Sequence, residues 1–216
     1  MGKSLYSLML SDEVIARIDR EAFKAGTNRS QLIDHILAEH CSFETPERFI
    51  EEIFRRVDAV FGEGGELISQ LIPHQSTMQL RTVLAYRYRP TLRYELRLYK
   101  SPQDACIGEL SLMLRTQAVE LISLTASFAE AWIPAERRLL EAYGYCPRYQ
   151  LQGARLTRTL HLPPQTEAGG AAAISENLSA YVSLLDEAFK GFVAGEYGKA
   201  ELSGLLREWA AAGKLI

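Results

Sequence analysis

The chain has 216 residues, 47% of them apolar, and its 24 basic and 27 acidic side chains leave a net charge of −3. That balance excludes a bulk attraction to nucleic acid or to an anionic membrane, and the length allows one large or two small domains with their own cores. No apolar run reaches the length of a membrane span, about 18 residues. Met1-Gly2-Lys3 leads straight into a strand pattern instead of a signal peptide, and Cys41, Cys106 and Cys146 are odd in number and far apart, which suits a reducing cytoplasm.

From Ser4 to Ser11 the pattern alternates, Tyr6, Leu8 and Leu10 on one side and Leu5, Ser7 and Met9 on the other, which predicts a strand. No partner strand lies nearby in the sequence. Ser11 followed by Asp12-Glu13 predicts a helix start, with Val14, Ile15, Ile18 and Ala22 as its stripe and Gly26 as its stop. A second helix is expected from Asn28, where Gln31 completes a capping box and Leu32, Ile33, Ile36 and Leu37 recur at helical spacing.

Leu8-Met9-Leu10-Ser11-Asp12-Glu13 at the strand exit and Gly26-Thr27-Asn28-Arg29-Ser30 between the helices resemble the ribbon-helix-helix family of Arc-, MetJ- and CopG-type DNA-binding proteins, over residues 4–40 alone. The resemblance implies an obligate dimer, in which two chains pair their strands into one antiparallel ribbon that enters the DNA major groove. It assigns base contacts to Leu5, Ser7 and Met9, and turns Tyr6, Leu8 and Leu10 to the dimer core. It places phosphate contacts at Asn28, Arg29 and Ser30, where helix N–H groups position the protein without reading sequence. On the base-contacting face only Ser7 offers a hydrogen-bonding group, and residues 1–45 hold five basic against seven acidic side chains. The competing reading is therefore an antitoxin-like or assembly protein whose ribbon contacts protein.

Farther along, Thr45-Pro46-Glu47 opens a helix with Phe49, Ile50, Ile53, Phe54, Val57, Val60 and Phe61 on its apolar side. The glycines of Gly62-Glu63-Gly64-Gly65 mark a flexible point, and Leu67–Ile72 reads as a short helical piece. From Thr77 the period becomes two. Met78 to Arg89 and Leu92 to Tyr99 form a hairpin around Pro90, and Ile107–Arg115 adds a third strand. One face is apolar. The other gathers Arg81, Arg87, Arg89, Arg93 and Arg97 around Glu95, a candidate secondary basic face, although the solvated side of an antiparallel sheet accounts for the same alternation. Thr116–Trp132 is expected to be helical, Pro134 to restart a separate helix over 135–143, Tyr149–Leu162 to supply a fourth strand, and Ser175 to cap a helix running to about Ala194. A last helix carries Leu202, Leu205, Leu206 and Trp209.

His35, His40, His74 and His161 form no ligand spacing with one another or with cysteine, so no metal or other cofactor is expected. No nucleophile elbow or Cys–His signature appears, and no enzyme is expected either. The sequence thus predicts an α+β protein: a dimerising module over 1–41, a helical connector over 42–76, and over 77–216 a C-terminal domain with a sheet of three to four strands packed by helices. The expected role is a cytoplasmic, DNA-binding transcriptional regulator, a homodimer or higher homo-oligomer. It would have no membrane partner, and its C-terminal domain would bind a small-molecule or protein effector or drive assembly.

Overall fold

The computed structural model describes residues 7–41, 45–62, 67–72, 76–103, 105–162 and 170–216. Among them are six helices and one six-stranded antiparallel sheet. The chain divides between Phe49 and Ile50 into two compact units.

In the smaller unit, residues 7–10 carry no ladder in the single chain, and Leu5 and Tyr6 lie outside the described residues. Helix α1 (Asp12–Lys24) starts with its two acids on the positive end of the helix dipole; Ser11 has the extended backbone of an N-cap, but its hydroxyl makes no capping bond. The helix ends at a glycine stop. Gly26 takes φ of +63°, its N–H donates to Phe23 O at 3.2 Å, and the Thr27 N–H donates to Ala22 O at 2.9 Å, the paired bonds of a Schellman motif. Helix α2 (Arg29–His40) begins at once, because the Gln31 N–H donates to Asn28 Oδ1 at 2.9 Å.

Helix α3 (Pro46–Gly62) opens as its sequence predicts, with the Arg48 N–H reaching Thr45 Oγ1 at 3.3 Å. Ile50, Ile53, Phe54, Val57 and Phe61 are buried and Val60 is exposed. Beyond it, β1 is Ile68–Ile72, β2 Thr77–Val83, β3 Thr91–Gln103, β4 Cys106–Leu114, β5 Tyr149–Gln152 and β6 Arg155–His161, in the sheet order β1-β2-β3-β4-β6-β5. Helix α4 (Val119–Glu141) lies between β4 and β5 in sequence, and α5 (Ala171–Ala194) and α6 (Lys199–Ala211) follow β6.

Six strands replace the three to four expected, for two reasons. Leu67–Ile72 was expected to be helical, but a run this short has no helical periodicity of its own, and pairing with the edge of β2 makes Ile68–Ile72 a strand. The alternation over 149–162 is not one strand but two, joined at Gly153-Ala154. The two-residue turn shifts the alternation by one position, since Leu151 pairs with Leu156 and Tyr149 with Arg158, and Gly153 supplies the φ of +56° that the turn needs. Two further expectations fail in the helices. Pro134 lies inside a continuous α4, where Phe128, Trp132, Glu136 and Leu140 share one buried face across it and hold the two halves in line. Helix α5 begins at Ala171, with the Ser175 hydroxyl bonded to Ala172 O inside the helix rather than capping it.

The apolar sheet face is the one the sequence marks: Met78, Leu80, Leu84, Leu92, Tyr94, Leu96 and Leu98 are all buried. Tyr94 donates its hydroxyl to Asp186 of α5 at 3.0 Å, and Arg158 of β6 meets Glu136 of α4 at 2.9 Å, which places helices on this face. Between α4 and α5, Phe128 stacks on Trp132 at 5.5 Å and meets Phe189 edge-on at 5.2 Å. Such fully buried large side chains each contribute about 1.5–3 kcal/mol. At the α5–α6 corner Gly191 leaves room for the Tyr197 ring, 2.3 Å from where a Cβ would stand. No helix among the described residues is long and apolar enough to cross a membrane.

Candidate functional site

Of the N-terminal candidates, Asn28, Arg29 and Ser30 lie at the α1–α2 corner, whereas Ser7 and Met9 precede α1 and Leu5 lies outside the described residues. Asn28 Oδ1 is committed to capping, while the Gln31 side chain accepts the Thr27 hydroxyl at 2.8 Å instead of closing the capping box on Asn28. Arg29 forks onto Asp19, its Nε at 2.6 Å from Oδ1 and its second nitrogen on Oδ2. The same pairing holds the Asp19 carboxyl below its usual range. Sequence reading missed this partner because ten residues and a turn separate the two. Ser30 is exposed at the start of α2.

The module has almost no interior. Among described residues 7–41 the buried ones are Ala22 and Ala38. Leu8, Met9 and Leu10 are all exposed, at 61%, 102% and 39%, Met9 the most. Val14, Ile18, Leu32 and Ile36 line a groove of about 350 Å³ flanked by Arg17 and Glu21, and Phe23 and Leu37 are exposed as well.

On the outer sheet face the register sets residues in rows. Arg81 lies opposite Arg93, with Met113 and then Arg155 beyond it; Gln79, Glu95, Ser111 and Thr157 form the next row, and Thr77, Arg97 and Glu109 the one after. Arg87, expected here, is not on this face, and neither is Arg89. β2 stops at Val83, and both belong to the loop that carries the chain to β3, since left-handed backbone at Tyr88 and Arg89 ends the alternation. Arg155, which the sequence reading did not include, replaces them. It donates to Glu95 Oε1 and to Ser111 Oγ, each at 3.1 Å. Glu95 also accepts from Gln79 Nε2 at 3.2 Å and faces Arg97 at 3.6 Å, so one carboxylate serves three neighbours.

Two further sites were not legible. At the heart of the larger unit Glu136 and Arg158 are both buried, their Oε1 and Nε 2.9 Å apart though not aligned as a hydrogen bond. Trp132 Nε1 donates to Glu136 Oε2 at 2.8 Å, Arg158 donates to the Ile216 main-chain oxygen, and the Arg158 guanidinium lies 4.3 Å over the Tyr181 ring. Burial by itself would lower the arginine's pKa, but Glu136 and the nearby phenols raise it; burial pushes the phenols of Tyr149 and Tyr181 up. The only sequence signal was a glutamate on an otherwise apolar helix face. The second is a groove of about 650 Å³ between the end of β2 and the last turns of α5, lined by Thr82, Leu84, Glu187, Lys190 and Tyr197 among others. Lys190 reaches Asp186 at 2.8 Å and Thr82 Oγ1 at 3.2 Å on its wall.

Among the described residues no three His, Cys, Asp or Glu side chains are placed to hold a metal ion, and His74 lies outside those residues. No protein-family model, no curated protein and no solved structure matches the chain.

Proposed function

We propose that the chain is a sequence-specific DNA-binding regulator that dimerises through its N-terminal module, with the larger unit sensing a ligand or driving assembly. The observation that carries the reading is a two-helix unit in which, among the described side chains, the buried ones are two alanines while Leu8, Leu10, Val14 and Ile36 stay open. An interior this small cannot offset the entropy of ordering the chain. A second copy supplies what is missing. Its strand pairs with residues 4–10 and its apolar side chains fill the groove beside Val14 and Ile36, the arrangement that the resemblance to ribbon-helix-helix proteins implies. Ser7 and Met9, with Leu5, then face the bases, and the α2 start at Asn28, Arg29 and Ser30 faces phosphate. The groove beside Lys190 is the natural seat for a small effector.

The test is selection of bound fragments from random duplex DNA by the purified chain. Enrichment of a short inverted or direct repeat is the expected result. Ser7→Ala should then relax base preference, whereas Arg29→Ala should weaken all sequences alike and reduce the salt slope by about one unit. Unfolding of the N-terminal module should depend on protein concentration, and Leu8→Asp should abolish its fold. No enriched sequence, with the concentration dependence intact, would favour the competing reading, a ribbon that contacts protein through the exposed Met9.

A further inference from the structure

The end of the sheet where β2 passes into β3 gathers charge and one aromatic ring in a way that the N-terminal reading does not use. Arg81 and Arg93 stand directly opposite each other on the outer face, where like charges repel. Each has a buried Nε with no acceptor among the described residues. Glu95, the next acid along this face of β3, is already shared by Gln79, Arg97 and Arg155. Arg115 adds to the crowding: burial, then Arg81 and Arg115, pull Arg93 below the ordinary arginine range. Arg81 donates one terminal nitrogen to Gln79 Oε1 at 3.2 Å, which leaves its Nε unused like that of Arg93. A half-buried pair of like charges with spare donors is an arrangement that a bound anion relieves, and guanidinium groups suit the paired oxygens of a phosphate.

The loop beside them supplies a second, independent observation. Tyr88 and Arg89 hold φ of +64° and +44°, left-handed backbone that bulky side chains adopt only where the surroundings enforce it. The surroundings do enforce it. Leu84 N–H donates to Pro90 O at 3.0 Å, Tyr86 N–H to Leu84 O at 2.8 Å and Arg89 N–H to Tyr86 O at 3.0 Å. The Tyr86 hydroxyl also reaches Glu120 at 3.4 Å. The outcome is a fixed loop that lifts the Tyr88 ring wholly into solvent between the exposed Arg87 and Arg89. Nothing in folding requires an aromatic ring there.

We propose that this end of the sheet binds single-stranded nucleic acid, with Arg81 and Arg93 holding a phosphate and Tyr88 stacking on an unpaired base. A single strand fits both observations, since its bases offer open faces to an aromatic ring while its backbone brings phosphates to the arginines. In a duplex the base faces are closed, and an acidic polypeptide has no planar rings at each unit. The proposal does not rest on the DNA-reading role of the N-terminal module.

The test uses the full chain and a fluorescent oligothymidylate of about 12 nucleotides, within the usual site sizes for such surfaces, followed by anisotropy against salt. Tyr88→Ala should weaken binding about ten-fold, as loss of one stacked base does, while Tyr88→Phe retains it. Arg93→Gln should lower the salt slope by about 0.7, the value for one phosphate on a single strand. Arg55→Gln, a charge change on the exposed side of α3, should leave binding as it was, and the thermal midpoint of Tyr88→Ala should not fall. Absence of saturable binding would overturn the proposal. So would a Tyr88→Ala variant that loses duplex affinity as much as single-strand affinity, equal affinity for polyglutamate, or a Tyr88→Ala variant that binds the single strand like the parent.

Discussion

Among the described side chains between Ser7 and Cys41 the buried ones are Ala22 and Ala38, whereas between Ile50 and Ile216 they include Trp132, Tyr94, Tyr181, Phe128 and Phe189. The first region takes its shape from its backbone: a Schellman stop at Gly26, a cap at Asn28 and the Asp19–Arg29 fork hold two helices at a corner. The second is shaped by burial, an apolar sheet face and the helices on it, with a charged pair locked inside. Local hydrogen bonds can therefore specify a geometry that they do not stabilise by themselves. The corner written into turn residues buries little apolar surface of its own, while the sheet carries an aromatic core.

The sharpest way to break this contrast is inside the larger unit. Arg158→Met leaves Glu136 buried without its charge partner and should cost about 3–5 kcal/mol, read from denaturant unfolding. Adding Glu136→Gln removes the orphaned charge, keeps an acceptor for Trp132 and should restore most of that loss. A double variant as unstable as the single one would mean that the pair contributes by packing alone.

The two regions should also part company with pH. Burial raises the phenols of Tyr94 and Tyr181, and pushes Tyr145 up to about 12. Each such group is protonated in both states below its unfolded value of about 10. Above that the unfolded chain releases the proton and the folded one retains it, so stability of the larger unit should fall from about pH 10 upward through about pH 12. The smaller unit has no tyrosine among its described residues. Its Asp19, held low by Arg29, contributes above the carboxyl's ordinary range and loses that contribution as the solution becomes acid. Circular dichroism across an alkaline and an acid titration checks both directions; a larger unit unmoved at high pH would contradict the buried-phenol account.

The smallest expected change is in the corner itself. Asn28→Ala removes the acceptor for the Gln31 N–H and should cost about 1 kcal/mol of module stability, the usual worth of an N-cap. Amide exchange at Gln31 should accelerate while the larger unit's exchange stays as it was.

How far the sequence could be read followed the same division between local and distant causes. The stop at Gly26, the caps at Asn28 and Thr45, and the inward row from Met78 to Leu98 were legible, because each depends on neighbours within a few residues or on strict alternation. The β5–β6 hairpin is marked in the sequence by no more than a one-position phase shift at Gly153-Ala154 within an otherwise alternating run, and the continuity of α4 rests on packing across Pro134 that is invisible in one dimension. The candidate sites divided likewise. Arg81, Arg93 and Arg97 fell where alternation put them, but Arg87 moved into a loop whose backbone conformation no residue-type pattern announced. Asp19 opposite Arg29, Arg155 beside Glu95 and Glu136 beside Arg158 are meetings of residues far apart in the chain, and only the fold brings them together.

Gly191 gives the α5–α6 corner an unusual kind of vulnerability. In an isolated helix, alanine in place of glycine is favourable by about 1 kcal/mol. Here the added methyl group would stand 2.3 Å from the Tyr197 ring, close to its inner carbons as well as its edge, so a small tilt of the ring cannot make room. Tyr197 would have to swing out and release Glu187, which its hydroxyl holds at 3.1 Å, and the chain entering α6 would lose the post it turns around. The mildest substitution in the genetic code's repertoire would thus act at this position as an insertion, and the tolerance of the corner to random mutation should be lowest where its side chain is absent.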